Sequence, residues 1–241
     1  MSNCKLIFFA SADELAPAAA GAWLDEIAAA NRAGKPYCVA LSGGRIAQKF
    51  FTSIVEQAGA RKLSFAPVHF FWADERCVPP DDQESNFRLA NELLLTPLNI
   101  PESQIHRIRG EESPGAAAKK AGAELRRFTP QDKNSQPVLD LIILGMGEDG
   151  HIASLFPNTP AAIANCTVPF STIENSPKPP SKRISLSYAA IAAARQVWVL
   201  VSGAGKELAL RKSLNPNGRT PLAQVLRSRS HTRIFSDIRP D

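Results

Sequence analysis

The sequence predicts a three-layer α/β fold, Rossmann-like, with a mostly parallel central sheet flanked by helices. Three observations predict it. Short apolar runs alternate along the chain with longer Ala-rich stretches of helical length. Several runs, residues 138–144 above all, lack the polar alternation of a strand with one wet face, so they read as strands buried on both sides. Strands separated by helices need crossovers, which are right-handed and build a parallel sheet. A chain of 241 residues that is 44% hydrophobic and 21% charged is not disordered, and it buries a large core without disulfides or metal. Residues 1–241 are therefore expected to form a single domain.

Residues 5–9 open the chain as a strand. Ser11 with Glu14 three positions later is a capping-box pattern, so an Ala-rich helix starts there and runs to about Asn31. Tyr37-Cys38-Val39-Ala40-Leu41 is a buried strand that ends at Ser42-Gly43-Gly44, where another helix begins. Residues 68–73 are a strand ending at Asp74-Glu75-Arg76. Ser85 opens a helix that carries Leu89, Leu93 and Leu94. The strand over residues 138–144 ends at Gly145-Met146-Gly147. Residues 183–186 and 197–201 are further strands, and a last one includes residues 232–235. Residues 131–137 and 174–182 read as loops. The second contains Ser176-Pro177-Lys178-Pro179-Pro180, which has no helical option; it is either an exposed connection or a flap over a site.

A net charge of +5 fits either a mildly basic solvated surface or attraction of an anion. Apart from Lys119-Lys120, Arg126-Arg127 and residues 227–233, the Lys and Arg residues are scattered, so no basic stripe marks a nucleic-acid partner. Cys4, Cys38, Cys77 and Cys166 form no CxxC pair and are expected as reduced thiols of a cytoplasmic protein. No apolar run approaches the roughly 20 residues that span a bilayer, and residues 1–10 lack a basic leader. A monomer or small homo-oligomer is expected.

Ligands of open α/β sheets bind beyond the carboxyl ends of the strands, and three polar clusters fall at such ends. Ser42-Gly43-Gly44 is either a tight turn or a cradle for phosphate, because the glycines let backbone approach an anion at a helix start. Asp74-Glu75-Arg76 is either a surface ion-pair turn or a site in which Arg76 meets an oxyanion and the carboxylates meet hydroxyls. The downstream Ser85-Asn86 pair fits a helix cap. Gly145-Met146-Gly147-Glu148-Asp149-Gly150-His151 has three glycines in six residues, the mark of backbone close to a ligand. His151 is expected at the start of a short helix, where a neutral imidazole serves as general base. Arg183 and Lys206 are each a solvated charge or, if they converge, a phosphate clamp. His69, His106, His151 and His231 are far apart in sequence, with no HxxxH pair and no Cys cluster, so no metal is expected.

The run from Gly145 through His151, continued by Ile152-Ala153-Ser154-Leu155-Phe156-Pro157, closely resembles the signature of the 6-phosphogluconolactonases, in the glucosamine-6-phosphate isomerase/6-phosphogluconolactonase superfamily. Asp74-Glu75-Arg76 with Val78-Pro79 and Ser85-Asn86, the Pro-rich segment with Arg183-Ile184, and Gly203 to Lys206 match further blocks in the same order. The related deaminases continue their Gly-x-Asp-Gly-His core with Phe-Asn-Glu-Pro; here Ser154-Leu155-Phe156-Pro157 follows and the acid is missing. The chain departs from the family at the first loop, where Arg45-Ile46-Ala47 replaces the usual Ser/Thr-x-Pro, and Arg45 either binds phosphate itself or swings to solvent.

The resemblance implies hydrolysis of 6-phospho-D-glucono-1,5-lactone to 6-phospho-D-gluconate without a cofactor. It implies His151 as base and then acid, Asp149 as its orienter, and Arg76 or a backbone N–H at the oxyanion. Ser42, Gly43, Gly44, Arg45, Arg183 and Lys206 would hold phosphate. Asp74 would bind sugar hydroxyls or position Arg76. The competing expectations are a glucosamine-6-phosphate deaminase-like isomerase and a non-catalytic sugar-phosphate-binding domain.

Overall fold

The computed structural model describes residues 4–239. Of the N-terminal segment read for a leader, residues 1–3 lie outside the described residues. The chain runs β1 (Cys4–Phe8), α1 (Ala12–Ala33), β2 (Tyr37–Leu41), α2 (Arg45–Arg61), β3 (Val68–Trp72), β4 (Asp74–Arg76) and α3 (Asn86–Ala90). It continues through α4 (Pro114–Phe128), β5 (Leu141–Gly145), α5 (Ala161–Ala164), β6 (Phe170–Ile173), β7 (Arg183–Leu186) and α6 (Tyr188–Ala193). The last elements are β8 (Gln196–Val201), α7 (Glu207–Leu214), α8 (Pro221–Ser228) and β9 (Thr232–Ser236).

Six strands pair in parallel in the order β1-β9-β8-β5-β2-β3. Every residue of β2 is buried, as its unbroken apolar run requires. The connections run in two directions. From β1 to β2 to β3 the chain moves toward the β3 edge; from β5 to β8 to β9 it moves toward the β1 edge. Right-handed crossovers therefore place the two sets of helices on opposite faces. In keeping with this, α1 packs on α2, while α8 packs on α6 and α7. The reversal falls between the neighbours β2 and β5, and it opens a crevice beyond their carboxyl ends.

A second, three-stranded sheet corrects two expectations. β4, β7 and β6 pair antiparallel, so residues 74–76 are a strand and not a turn, and residues 183–186 lie outside the parallel sheet. Strands of three or four residues carry too few alternating positions to reveal their sheet, and β6 escaped notice for the same reason. Ala73 joins the two sheets: its N–H donates to Leu41 and its carbonyl accepts from Leu186.

Local chemistry at the helix ends also differs in part. The hydroxyl of Ser11 makes no capping bond, and the Glu14 carboxylate accepts from the N–H of Ala10 instead. The helix α1 ends at Ala33, two residues past the expected Asn31, and Gly34 closes it in the left-handed conformation. Ser85 caps α3 as its type predicts, accepting from the N–H of Arg88 at 3.1 Å. The helix expected through Leu93 and Leu94 widens after Ala90 into a π-type turn, Asn91–Leu95, which turns Leu94 and Leu95 into the core.

The helices α1 and α2 meet β3 through an aromatic cluster. Trp23, fully buried, stacks on Phe50 at 5.9 Å and lies edge-on to Phe70 at 6.3 Å. Trp23→Ala is expected to lower stability by about 3–5 kcal/mol, read as a shift of the urea midpoint at constant slope.

Candidate active site

The crevice between β2 and β5 is built by the two loops that leave those strands. After β2, Gly44 adopts φ 106°, open only to glycine, and turns the chain into α2. A side chain at Gly43 would put its Cβ 2.0 Å from the Asn86 amide oxygen, so glycine lets that amide come in close. Asn86 is held by donating to the Asp74 carbonyl at 2.9 Å. The 17-residue α2 then aims its free N–H groups and positive dipole end at the crevice.

After β5 the chain folds into a tight loop. Gly147 donates to the His151 carbonyl at 2.9 Å, and Gly150 turns the backbone at φ 80°. His151 therefore sits in a loop and not at a helix start, because the bond across it closes a turn that glycine reverses. Its imidazole rests over Gly147, where a Cβ would stand 2.0 Å from Nδ1. Nδ1 meets Asp149 Oδ1 at 2.5 Å, and Phe156 packs on the ring at 4.7 Å. Because the carboxylate accepts a hydrogen bond, the proton is assigned to Nδ1, which leaves a lone pair on Nε2. Burial lowers the affinity of His151 for a proton below the ordinary histidine value, and Asp149 partly restores it. Burial raises the Asp149 carboxyl, but the hydrogen bond and charge of His151 together with backbone N–H donors outweigh it and hold it below the usual range.

The third wall is β4. Asp74, buried, accepts from the Ser154 hydroxyl at 2.7 Å and lines the crevice. Glu75 faces the other way. Its carboxylate accepts the backbone N–H groups of Arg76, Asn86 and Phe87, each at 2.8 Å, and burial pushes its pKa up to about 7. Of the two carboxylates read together from the sequence, only Asp74 reaches the crevice. Arg76 donates through Nη1 to the Glu84 carbonyl at 2.5 Å. Its Nε and the Ser42 hydroxyl are buried with no partner in the protein, so both retain unspent hydrogen-bonding capacity at the crevice.

The remaining cations converge from separate elements. Arg183 pairs in register with Arg76, across β7 and β4. Lys206 stands at the start of α7; burial lowers its pKa, and the charge of Arg45 lowers it further. Arg45, exposed at the first position of α2, lines the same crevice. Of the ten residues singled out from the sequence, all but Asp149 line this one crevice, and Asp149 touches its His151. Sequence reading gave no crevice role to Asn86, which looked like a cap, and named Phe156 only within the family signature, without its contact to the His151 ring. It also missed that His69 and His106, 37 positions apart, meet at 3.0 Å elsewhere. Among the described residues no group of three or more His, Cys, Asp or Glu side chains is placed to hold a metal ion.

Residues 10–234 match the family described as glucosamine-6-phosphate isomerases/6-phosphogluconolactonase. The chain belongs to that family. A relative named 6-phosphogluconolactonase from Mycobacterium tuberculosis is 34% identical over 208 residues, covering 85% of this chain and 83% of its own. Another of that name from Haemophilus influenzae is 38% identical over 172 residues, covering 71% and 70%. The solved 6-phosphogluconolactonase of Trypanosoma brucei superimposes with a TM-score of 0.86 at 26% identity, covering 98% of this chain and 97% of that one. A monomeric glucosamine-6-phosphate deaminase shares the fold, with a TM-score of 0.80 at 19% identity.

For this family member, the clearance over Gly147 is directly testable. Gly147→Ala is expected to displace the imidazole and lower turnover about 100-fold in a folded protein. Gly59→Ala, whose new methyl meets nothing within 4 Å, serves as the control with turnover unchanged.

Proposed function

We propose that the protein hydrolyses 6-phospho-D-glucono-1,5-lactone to 6-phospho-D-gluconate, the second step of the oxidative pentose phosphate pathway, as a carboxylic ester hydrolase. One observation carries the reading: the imidazole of His151, oriented by Asp149, faces a crevice walled by Arg76, Arg45 and Lys206. That arrangement provides a neutral base beside a set of cations. A lactone with an anionic tail is a substrate that uses both halves. The names of the relatives support the same substrate class.

In this mechanism His151 Nε2 takes a proton from a water molecule as the water oxygen bonds to the lactone carbonyl carbon. The electron pair of the C=O bond moves onto oxygen, and the unspent Arg76 Nε or a backbone N–H of the glycine loop stabilises that oxyanion. The oxyanion re-forms the carbonyl and expels the ring oxygen, which takes the proton back from His151. Asp149 keeps Nδ1 protonated throughout. The N–H groups at Gly43 and Gly44, the Ser42 hydroxyl, Arg45 and Lys206 bind the phosphate and so fix the distance between carbonyl and base. Asp74 accepts from sugar hydroxyls beside Arg76. Hydrolysis moves no electrons to an external acceptor, and the chemistry needs only water, base, acid and cations; a cofactor has no step to perform.

The substrate is a small molecule, and the converging cations suit a compact phosphate better than a polymer or a membrane surface. Among the described residues no helix is long and apolar enough to cross a membrane. The proposed setting is cytoplasmic, where the four cysteines, free in the structure, stay reduced. The protein acts as a monomer or small homo-oligomer.

His151→Ala is expected to lower the rate on freshly prepared lactone, background hydrolysis subtracted, by about 10²- to 10⁴-fold. Near-normal turnover in the folded variant refutes the role. The base must be neutral, so kcat/KM falls as pH drops through the folded pKa of His151; the acid limb is expected below the ordinary value of 6.5. Asp149→Asn removes an interaction that raises that pKa, so its limb moves to still lower pH while kcat falls. Exhaustive chelation is expected to leave the rate unchanged, and a strict metal requirement overturns the proposed chemistry.

A further inference from the structure

Asp74 faces the crevice with one of its two carboxylate oxygens already engaged. Oδ2 accepts from the Ser154 hydroxyl at 2.7 Å. Among the described residues no donor reaches Oδ1, and Asp74 lines the crevice. Ser154 itself is 0% exposed, so it cannot touch a ligand. Whatever its hydroxyl does for the site, it does through Asp74.

Ser154 is held from two sides. Residues 152–155 make a tight turn in which the Leu155 N–H donates to the Ile152 carbonyl at 2.9 Å. Within that turn Ala153 takes φ 48°, a left-handed backbone that residues with a Cβ seldom adopt. From the other side, the Ser154 N–H donates to Ser185 Oγ at 3.2 Å, and that hydroxyl donates on to the Leu186 carbonyl at 3.1 Å. The Leu186 N–H donates to the carbonyl of Ala73, the residue before Asp74, at 2.7 Å. The bonds thus return to the strand they started from. Asp74 is fixed through its backbone by β7 and through its side chain by Ser154, and the turn lies three residues past His151. An aspartate carboxylate otherwise turns broadly about its last bond. A donor on one oxygen sets its plane and so the direction of the other oxygen.

We infer that Ser154 is the positioning residue of Asp74: it turns Oδ1 into the crevice as a fixed acceptor for a hydroxyl of the sugar ring. This rests on the lactonase reading above. In that reading His151 and Arg76 act at the lactone carbonyl and the cations at the phosphate. The ring hydroxyls lie between these ends of the substrate, and the Ser154–Asp74 pair reads them. It sets which sugar is accepted and leaves the bond-breaking step to other residues.

The test uses glucose 6-phosphate, which has the ring, the hydroxyls and the phosphate but no carbonyl to hydrolyse, beside inorganic phosphate. By calorimetry, Ser154→Ala is expected to weaken glucose 6-phosphate about tenfold, the size of one misaligned charge-assisted bond, and to leave inorganic phosphate unchanged. On the phosphorylated lactone, KM rises by about the same factor with kcat nearly constant. Equal losses for both ligands, or a loss confined to kcat, overturn the inference. If Ser154 acts through Asp74, adding Ser154→Ala to Asp74→Ala weakens glucose 6-phosphate little further; losses that multiply overturn the positioning role. Should Ser154→Ala not fold, Ser154→Cys keeps a weaker donor and is expected to lose part of the affinity for glucose 6-phosphate alone; wild-type affinity in that variant overturns the inference. A wild type that binds glucose 6-phosphate no better than phosphate also overturns it. A wild type inactive on the lactone refutes the lactonase reading, and the two titrations still decide the role of Ser154.

Discussion

The reversal of connection direction between β2 and β5 is the constraint on which the site depends. Two neighbouring strands send their chains to opposite faces, so no helix covers the gap beyond their carboxyl ends. Everything chemical is then delivered to that gap by loops. From β2 come two glycines and the N-terminus of a long helix; from β5 come three glycines and His151. The glycines make room at stated places. Gly43 admits the Asn86 amide and Gly147 admits the imidazole, each where a Cβ would stand 2.0 Å from the incoming side chain.

The second sheet supplies what the parallel sheet lacks. β4 and β7 bring Arg76 and Arg183 side by side, with Asp74 at the end of the same strand. Two guanidiniums in register repel each other, and the protein holds them by giving each a backbone acceptor: the Glu84 carbonyl for Arg76 and the loop carbonyls for Arg183. Glu75 anchors the strand from behind by collecting backbone N–H groups at the start of α3, which also sets Asn86 against Gly43. Carbonyl oxygens thus orient both guanidiniums without neutralising them, while the Glu84 carboxylate lies 3.4 Å from Arg76 Nη1 and offsets part of its charge.

Nearby charge bears on the base as well. Lys178 and burial favour neutral His151, while Asp149 and Asp74 favour its protonated form. In the proposed mechanism that balance suits an imidazole that accepts a proton near neutral pH and returns it as the tetrahedral intermediate collapses. Arg45 replaces a hydroxyl at the first loop with a longer reach and a full charge. Its charge lowers the proton affinity of Lys206 and it lines the same crevice, and backbone N–H donors at Gly43 and Gly44 do not depend on the residue that follows.

The parallel strands and the loops that end them were legible in the sequence because unbroken apolar runs and glycine clusters are local signals. β2, β5 and β8 needed only their own residues to be recognised, and so did the turn at Ser42-Gly43-Gly44. The family signature around His151 likewise lies within one contiguous stretch. Tertiary structure alone decided the rest. β4, β6 and β7 are too short to declare a partner, so the antiparallel sheet and the register of Arg76 with Arg183 arise only when distant segments meet. Whether Glu75 or Asp74 lines the crevice was settled by that pairing, since neighbouring residues on a strand point to opposite sides. The Pro-rich loop gained its place from the Lys178, Pro179 and Pro180 carbonyls, which accept from Arg183. A hydrogen bond to backbone oxygen is blind to side-chain identity, so the residue types alone carry no sign of it.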